Sequence, residues 1–82
     1  MVQVIYEKEN SRSAAYDGSV RIGMCQFEDI NGIRIIYHTE VLPSYEGQGI
    51  AGKLVHCVSD EAENEGFAIK STCSYAKKVL GR

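Results

Sequence analysis

No apolar run among the 82 residues is long enough to cross a bilayer, so a helical membrane protein is excluded. Met1-Val2-Gln3-Val4 opens no signal peptide, and the cytoplasm is the expected compartment. Basic charge is not in excess either. Nine Lys and Arg against eleven Asp and Glu leave a net charge of −2, and a nucleic-acid surface is not expected. Cysteines number three, odd and widely spaced, which suits a reducing compartment rather than a disulfide framework. Repeats, linkers and low-complexity segments are missing too. What remains, 44% hydrophobic and 24% charged, is the composition of one ordinary globular domain over residues 1–82. A domain of this size buries only somewhat more than about 60% of its unfolded surface.

Alternation comes first along the chain. Val2, Val4 and Tyr6 alternate with Gln3, Ile5 and Glu7 in a first strand, and Glu9 to Arg12 reads as a turn. Ser13 to Tyr16 forms a short second strand ending at the Asp17-Gly18 hairpin signal. A longer strand runs from Val20 to about Glu28, and Asn31-Gly32 turns it back into Ile33 to Val41. That turn sets a register in which Ile30 faces Ile33, Asp29 faces Arg34, Phe27 faces Ile36 and Cys25 faces His38. From Gly49 the period becomes helical, with Ile50, Leu54, Val58 and Ala62 four apart and Gly66 as the stop. The acidic run Asp60 to Glu65 reads as a solvated face. Phe67 to Thr72 returns as a strand that a crossover helix lays parallel to Ile33–Val41. Ser74 caps a last short helix from Tyr75 to Leu80. The expected fold class is α+β: a mostly antiparallel sheet with one parallel βαβ step at its end.

The strand-to-helix junction, Val41 to Leu54, carries the chemistry. Glycines at 47 and 49 leave the first turn of the helix approachable, its amides bare and its dipole positive. Such a turn suits a phosphate. Gly47-Gln48-Gly49-Ile50-Ala51-Gly52 fits the dinucleotide pattern G-x-G-x-x-G in form. It lies in mid-chain, however, and the acidic residues that follow at a suitable distance, Glu61, Glu63 and Glu65, stand on the helix itself. A P-loop is excluded, because no Gly-Lys-Ser or Gly-Lys-Thr follows.

A third pattern is Val-x-Pro, then Arg or Gln, two residues, Gly, one residue, and Gly or Ala. Val41, Pro43, Gly47, Gly49 and Ala51 resemble this acyl-CoA loop of the GNAT superfamily of N-acetyltransferases. With His38-Thr39 before the loop and Cys73-Ser74-Tyr75 after it, the chain resembles a small GNAT-like subfamily, a pared-down fold that binds acetyl-CoA. The resemblance covers about Val20 to Leu80. It implies a splayed strand pair, Ile33–Val41 and Phe67–Thr72, with the pantetheine arm inserted between them. It implies pyrophosphate contacts along Gly47, Gln48, Gly49, Ile50, Ala51 and Gly52, and arm contacts along Thr39, Glu40 and Val41. Most members carry Arg or Gln where this chain has Glu46, and a carboxylate beside a pyrophosphate is repulsive. Larger members also place two helices after the first strand, where only Glu7 to Arg12 is available here. The usual walls of an acceptor pocket are therefore missing.

Individual residues admit two accounts each. Tyr75 resembles the tyrosine that protonates the leaving CoA thiolate in many members, and tyrosine also commonly covers core. His38 has the ordinary pKa of a general base, or is a strand histidine with one hydrogen bond. Cys73, between a strand end and a helix start, is placed to be a thiolate that accepts the acetyl group across the splay from His38, or is a small buried thiol. Lys53 neutralises a phosphate or stands in solvent. Cys25, His38, Cys57 and Cys73 include no chelating pair, so no metal site is expected. Three functions stay open: an acetyl-CoA-dependent N-acetyltransferase with an unknown amine acceptor or partner protein, a non-catalytic acetyl-CoA-binding module, and a thiol or acyl-carrier protein centred on Cys73.

Overall fold

A computed structural model describes residues 1–81, with the side chain of Tyr75 outside the described part. Five strands form one sheet in chain order: β1 (Val2–Glu7), β2 (Arg12–Asp17), β3 (Val20–Ile30), β4 (Ile33–Val41) and β5 (Ala68–Ser71). Neighbours are antiparallel except β4 and β5, which run parallel because helix α1 (Ile50–Glu65) crosses over between them. A short α2 (Ser74–Leu80) follows β5. Two 3-10 turns, Lys8–Asn10 and Pro43–Tyr45, connect β1 to β2 and β4 to the glycine turn.

Local chemistry sets these boundaries. Asn31 and Gly32 both take positive φ, 50° and 78°, as a two-residue I′ hairpin turn requires. Gly49 and Gly66 bound α1 at its N- and C-caps. The second helix begins one residue earlier than the sequence pattern predicts: Cys73, not Ser74, is the cap position, and its carbonyl accepts the Lys77 N–H at 3.0 Å.

Among the described residues, one face of the sheet is covered by the helices and the other is open. Leu54, Val55 and Val58 of α1 are fully buried against Ala15, Ile22, Cys25, Phe27 and Ile36, with Ala76 of α2 closing the same core. Each of the buried Leu, Val, Ile and Phe side chains contributes about 1.5–3 kcal/mol through burial. Ser13, also buried, donates its hydroxyl to the Leu54 carbonyl at 2.8 Å and fastens β2 to the helix.

The core ends in a charge cluster. Arg34 has no exposed surface, lies 4.1 Å from the Phe27 ring centre and 4.9 Å from that of Phe67, and donates to both Asp29 carboxylate oxygens at 2.8 and 3.0 Å. Burial opposes its charge, but the bonds to Asp29 and Glu65 prevail and hold the guanidinium above its ordinary pKa. Glu65 is no solvated residue. It accepts from Tyr6 at 2.6 Å and pairs with Lys8 at 2.7 Å and Arg34 at 3.4 Å. The Lys8 and Tyr6 bonds, chiefly, take its carboxyl down to about 2.

Two bulges bend the sheet. Ala15 pairs with Gly23 and Tyr16 with Arg21, which leaves Ile22 as an extra residue in β3. Phe27 pairs with Ile36 but Gln26 with His38, which leaves Tyr37 extra in β4. Cys25 consequently faces Thr39, and the expected Cys25–His38 pairing is displaced by one residue. A one-residue shift turns the following side chains to the other face. Thr39 and Val41 point to the α1 side, where Val41 packs on the core and the Thr39 hydroxyl donates to Cys25 Sγ at 3.5 Å. His38 and Glu40 fall on the open face. Among the described residues no helix is long and apolar enough to cross a membrane.

Candidate acyl-CoA site

The parallel pairing of β4 with β5 lasts for four residues, Ile33 opposite Ala68 to Ile36 opposite Ser71. It ends at one carbonyl. Ile36 O accepts from the Thr72 N–H at 2.9 Å and the Cys73 N–H at 3.4 Å, and the chain then turns into α2. The strand β4 continues for five more residues, Tyr37 to Val41, without β5 beside it. Leu42 N–H bonds to Ile22 O on the β3 side at 2.8 Å, so strand alternation turns the main-chain groups of Thr39 and Val41 toward the gap. The splay therefore presents unused backbone donors along an edge.

The gap leads to the start of α1. Glu46 N–H still closes on Pro43 O and Lys53 N–H on Gly49 O, each at 3.2 Å, but among the described residues the amides of Gly47 to Gly52 make no backbone hydrogen bond. No side chain caps the helix, and its first turn holds no acidic residue. Gly49 sits at φ 75° and Gly47 at φ 81°, the left-handed region that favours glycine, and a Cβ at either would meet open space. These residues, with Val41, Tyr45, Glu46, Ile50 and Ala51, line a cavity of about 310 Å³. Bare amides and helix dipole together give it the chemistry that suits an anion.

Ile50 is buried and contributes its amide; Gln48 and Lys53 are exposed, Ala51 and Gly52 half-buried. Glu46 lines the cavity with its side chain exposed. Cys73 is half-buried against the core, near enough to Cys25 for a charge there to be felt. Burial pushes the Cys25 thiol up to about 11 and raises that of Cys57. His38 is not across the gap from Cys73. It stands half-exposed on the opposite face, its Nε2 3.3 Å from Glu40 Oε1. Tyr75 lies in the first turn of α2, its side chain outside the described residues.

Sequence reasoning missed Tyr45. Its ring packs on the core, and its hydroxyl donates to Asp17 Oδ2 at 2.5 Å, tying the base of the glycine turn to the end of β2. That bond holds the Asp17 carboxyl below its ordinary pKa and the Tyr45 phenol above. Asp17-Gly18 was legible as a hairpin turn; no local pattern marks the anchor 28 residues away.

The fold is an α+β domain in which a splayed parallel pair feeds an uncapped glycine turn. Residues 12–82 match the family described as GCN5-related N-acetyl-transferase, and the chain belongs to that family. The fold agrees with solved members. A GCN5-related N-acetyltransferase from Sphaerobacter thermophilus superposes with TM-score 0.75 at 17% identity, covering 88% of this chain and 26% of that one. A probable acetyltransferase of unknown function from meticillin-resistant Staphylococcus aureus gives 0.72 at 19% identity, covering 99% and 86%. An aminoglycoside N-acetyltransferase in complex with CoA gives 0.64 at 22% identity, covering 85% and 53%. The chain thus spans about a quarter of the Sphaerobacter protein and most of the staphylococcal one. No curated protein matches the sequence.

Proposed function

We propose that this protein is an acetyl-CoA-dependent N-acetyltransferase acting on an amine. The observation that carries the reading is the continuity of the β4 edge beyond Ile36 with the bare amides of Gly47 to Gly52. The pyrophosphate sits on those amides, Lys53 adds a positive charge at their rim, and the pantetheine arm lies along Thr39, Glu40 and Val41. A main-chain N–H at Thr39 or Val41 polarises the thioester carbonyl and stabilises the oxyanion that forms there. Tyr75 gives a proton to the departing thiolate, and His38, steadied by Glu40, takes one from the amine. The compartment that suits this reading is the cytoplasm, where three thiols without a disulfide framework stay reduced.

A second reading has one observation in its favour. Cys73 packs against the core that holds Cys25, on the α1 side where Thr39 also points, whereas His38 lies on the other face. Attack by the Cys73 sulfur on the thioester would yield an acetyl-cysteine and free CoA before any amine arrives. A short connection built on the Lys8–Asn10 turn joins β1 to β2, so the acceptor approaches a sheet face with no helices from that connection over it. Calorimetric titration with acetyl-CoA, followed by intact mass, tests both readings. Saturable binding supports the site, and its absence defeats both. A stable gain of one acetyl group, lost in Cys73→Ser, selects the covalent route.

A further inference from the structure

We propose that the acceptor is a small amine that also carries a carboxylate, of the α-amino-acid type, held between Glu40 and Arg21 on the open face of the sheet. The proposal rests on the acetyl-transfer reading above. The end of β4 divides two cavities. Val41 and the glycine turn line the larger one on the α1 side, while Arg21, Ile22, Gly23, Met24, Glu40 and Leu42 line a second of about 130 Å³. Alternation after the Tyr37 bulge sends Glu40 and Leu42 to the open face, and the Ile22 bulge sets Arg21 opposite Tyr16 on that same face. Both bulges therefore bracket this corner, and bulges commonly re-aim side chains beside active sites.

The charges that meet there are opposite. Glu40 stands across from Met24 and 3.3 Å from His38 Nε2. Arg21 is exposed and, among the described residues, takes part in no ion pair. An ammonium seats on Glu40 beside the imidazole, and a carboxylate meets the planar fork of Arg21. The volume is that of about four waters, at roughly 30 Å³ each, which admits a compact amino acid over the apolar floor of Met24 and Leu42. A peptide N-terminus offers the ammonium but no carboxylate for Arg21. In the transfer, the seated ammonium first gives one proton to the His38–Glu40 pair, and the neutral nitrogen then bonds to the acetyl carbon. As the carbon–sulfur bond breaks, the nitrogen sheds its second proton and CoA leaves as a thiolate that takes up a proton.

Thiol release from acetyl-CoA, measured with alanine and with alaninamide, tests the assignment. Loss of one charge-assisted pair is expected to make kcat/KM for alaninamide about 10- to 100-fold lower than for alanine. Arg21→Gln should erase that difference, and Arg21→Lys should keep part of it. Alanine should also shift the ¹⁵N–¹H resonances of Met24 and Glu40 in the acetyl-CoA-bound protein. Equal or better use of alaninamide, or discrimination that survives Arg21→Gln, overturns the proposal. If acetyl-CoA binds but alanine moves neither resonance, the acceptor pocket alone falls. If acetyl-CoA does not bind, the acetyl-transfer reading falls with it.

Discussion

Substitution at Gly52 should raise stability and lower ligand affinity at once. Gly52 lies in the first turn of α1, and a Cβ there would meet nothing within 4 Å. Unlike Gly49, whose φ of 75° would strain any other residue, Gly52 has no positive φ. Replacing it with Ala removes the entropic cost of glycine in a helix, about 0.5–1 kcal/mol. In a domain this small that corresponds to a rise in Tm of about 2–8 °C. The Cα–Cβ bond of a helical residue tilts toward the N-terminus, so a side chain at 52 leans over the bare amides of the turn. Leu in that place should deny the pyrophosphate at least one amide contact. A hydrogen bond to a charged group is worth about 1.5–3 kcal/mol, so affinity for acetyl-CoA should fall about 10- to 100-fold. Differential scanning calorimetry of Gly52→Ala and calorimetric titration of Gly52→Leu measure the two effects. A lower Tm for Ala would refute the helix argument. Wild-type affinity with Leu would show that no phosphate occupies the turn.

Other consequences follow from the core and the thiols. Arg34→Met strands Asp29 and Glu65 and should cost about 3–5 kcal/mol in urea unfolding, and a loss under about 1 kcal/mol would mean that the buried cluster contributes little. Glu65 titrates near 2 in the folded protein and near its ordinary value of about 4.3 when unfolded. Its contribution is therefore complete above about pH 4.3 and lost as pH falls toward 2, and Glu65→Gln should flatten the stability–pH curve across that window. Glu46→Gln should tighten acetyl-CoA binding by about 1 kcal/mol or less, with the gain shrinking in salt; no change at low salt would mean that the carboxylate turns away from the phosphates. Timed iodoacetamide labelling at pH 7 should find Cys25 and Cys57 slow, since burial raises both thiols, and Cys73 faster and shielded by acetyl-CoA. Labelling of Cys73 slower than the other two would reduce it to packing.

What the sequence made legible was carried by local chemistry. Asn31-Gly32, the 3.6-residue period from Ile50 and the caps at Gly49 and Gly66 each rest on neighbours in the chain, and each stands where the pattern placed it. The Asp29–Arg34 pair was legible for the same reason, its members lying five residues apart around a tight turn. Its setting was not. Phe67 and Glu65 reach Arg34 across more than thirty residues, and nothing in the acidic run Asp60 to Glu65 distinguishes the one carboxylate that turns inward. Tyr37 shows the other limit. A bulge adds a residue without any compositional mark, and this one moved Cys25 from His38 to Thr39 and sent the histidine to the far face of the sheet. The glycine turn was readable as an approachable helix start; that the end of β4 divides two cavities was not.

Backbone amide shifts on titration with CoA test the central claim most directly, because they report each candidate contact separately. The ¹⁵N–¹H resonances of Gly47, Gln48, Gly49, Ile50, Ala51 and Gly52 are expected to move most, followed by Thr39 and Val41 at the edge of the gap. Shifts confined to other regions, with the 47–52 amides unmoved at saturating CoA, would contradict it.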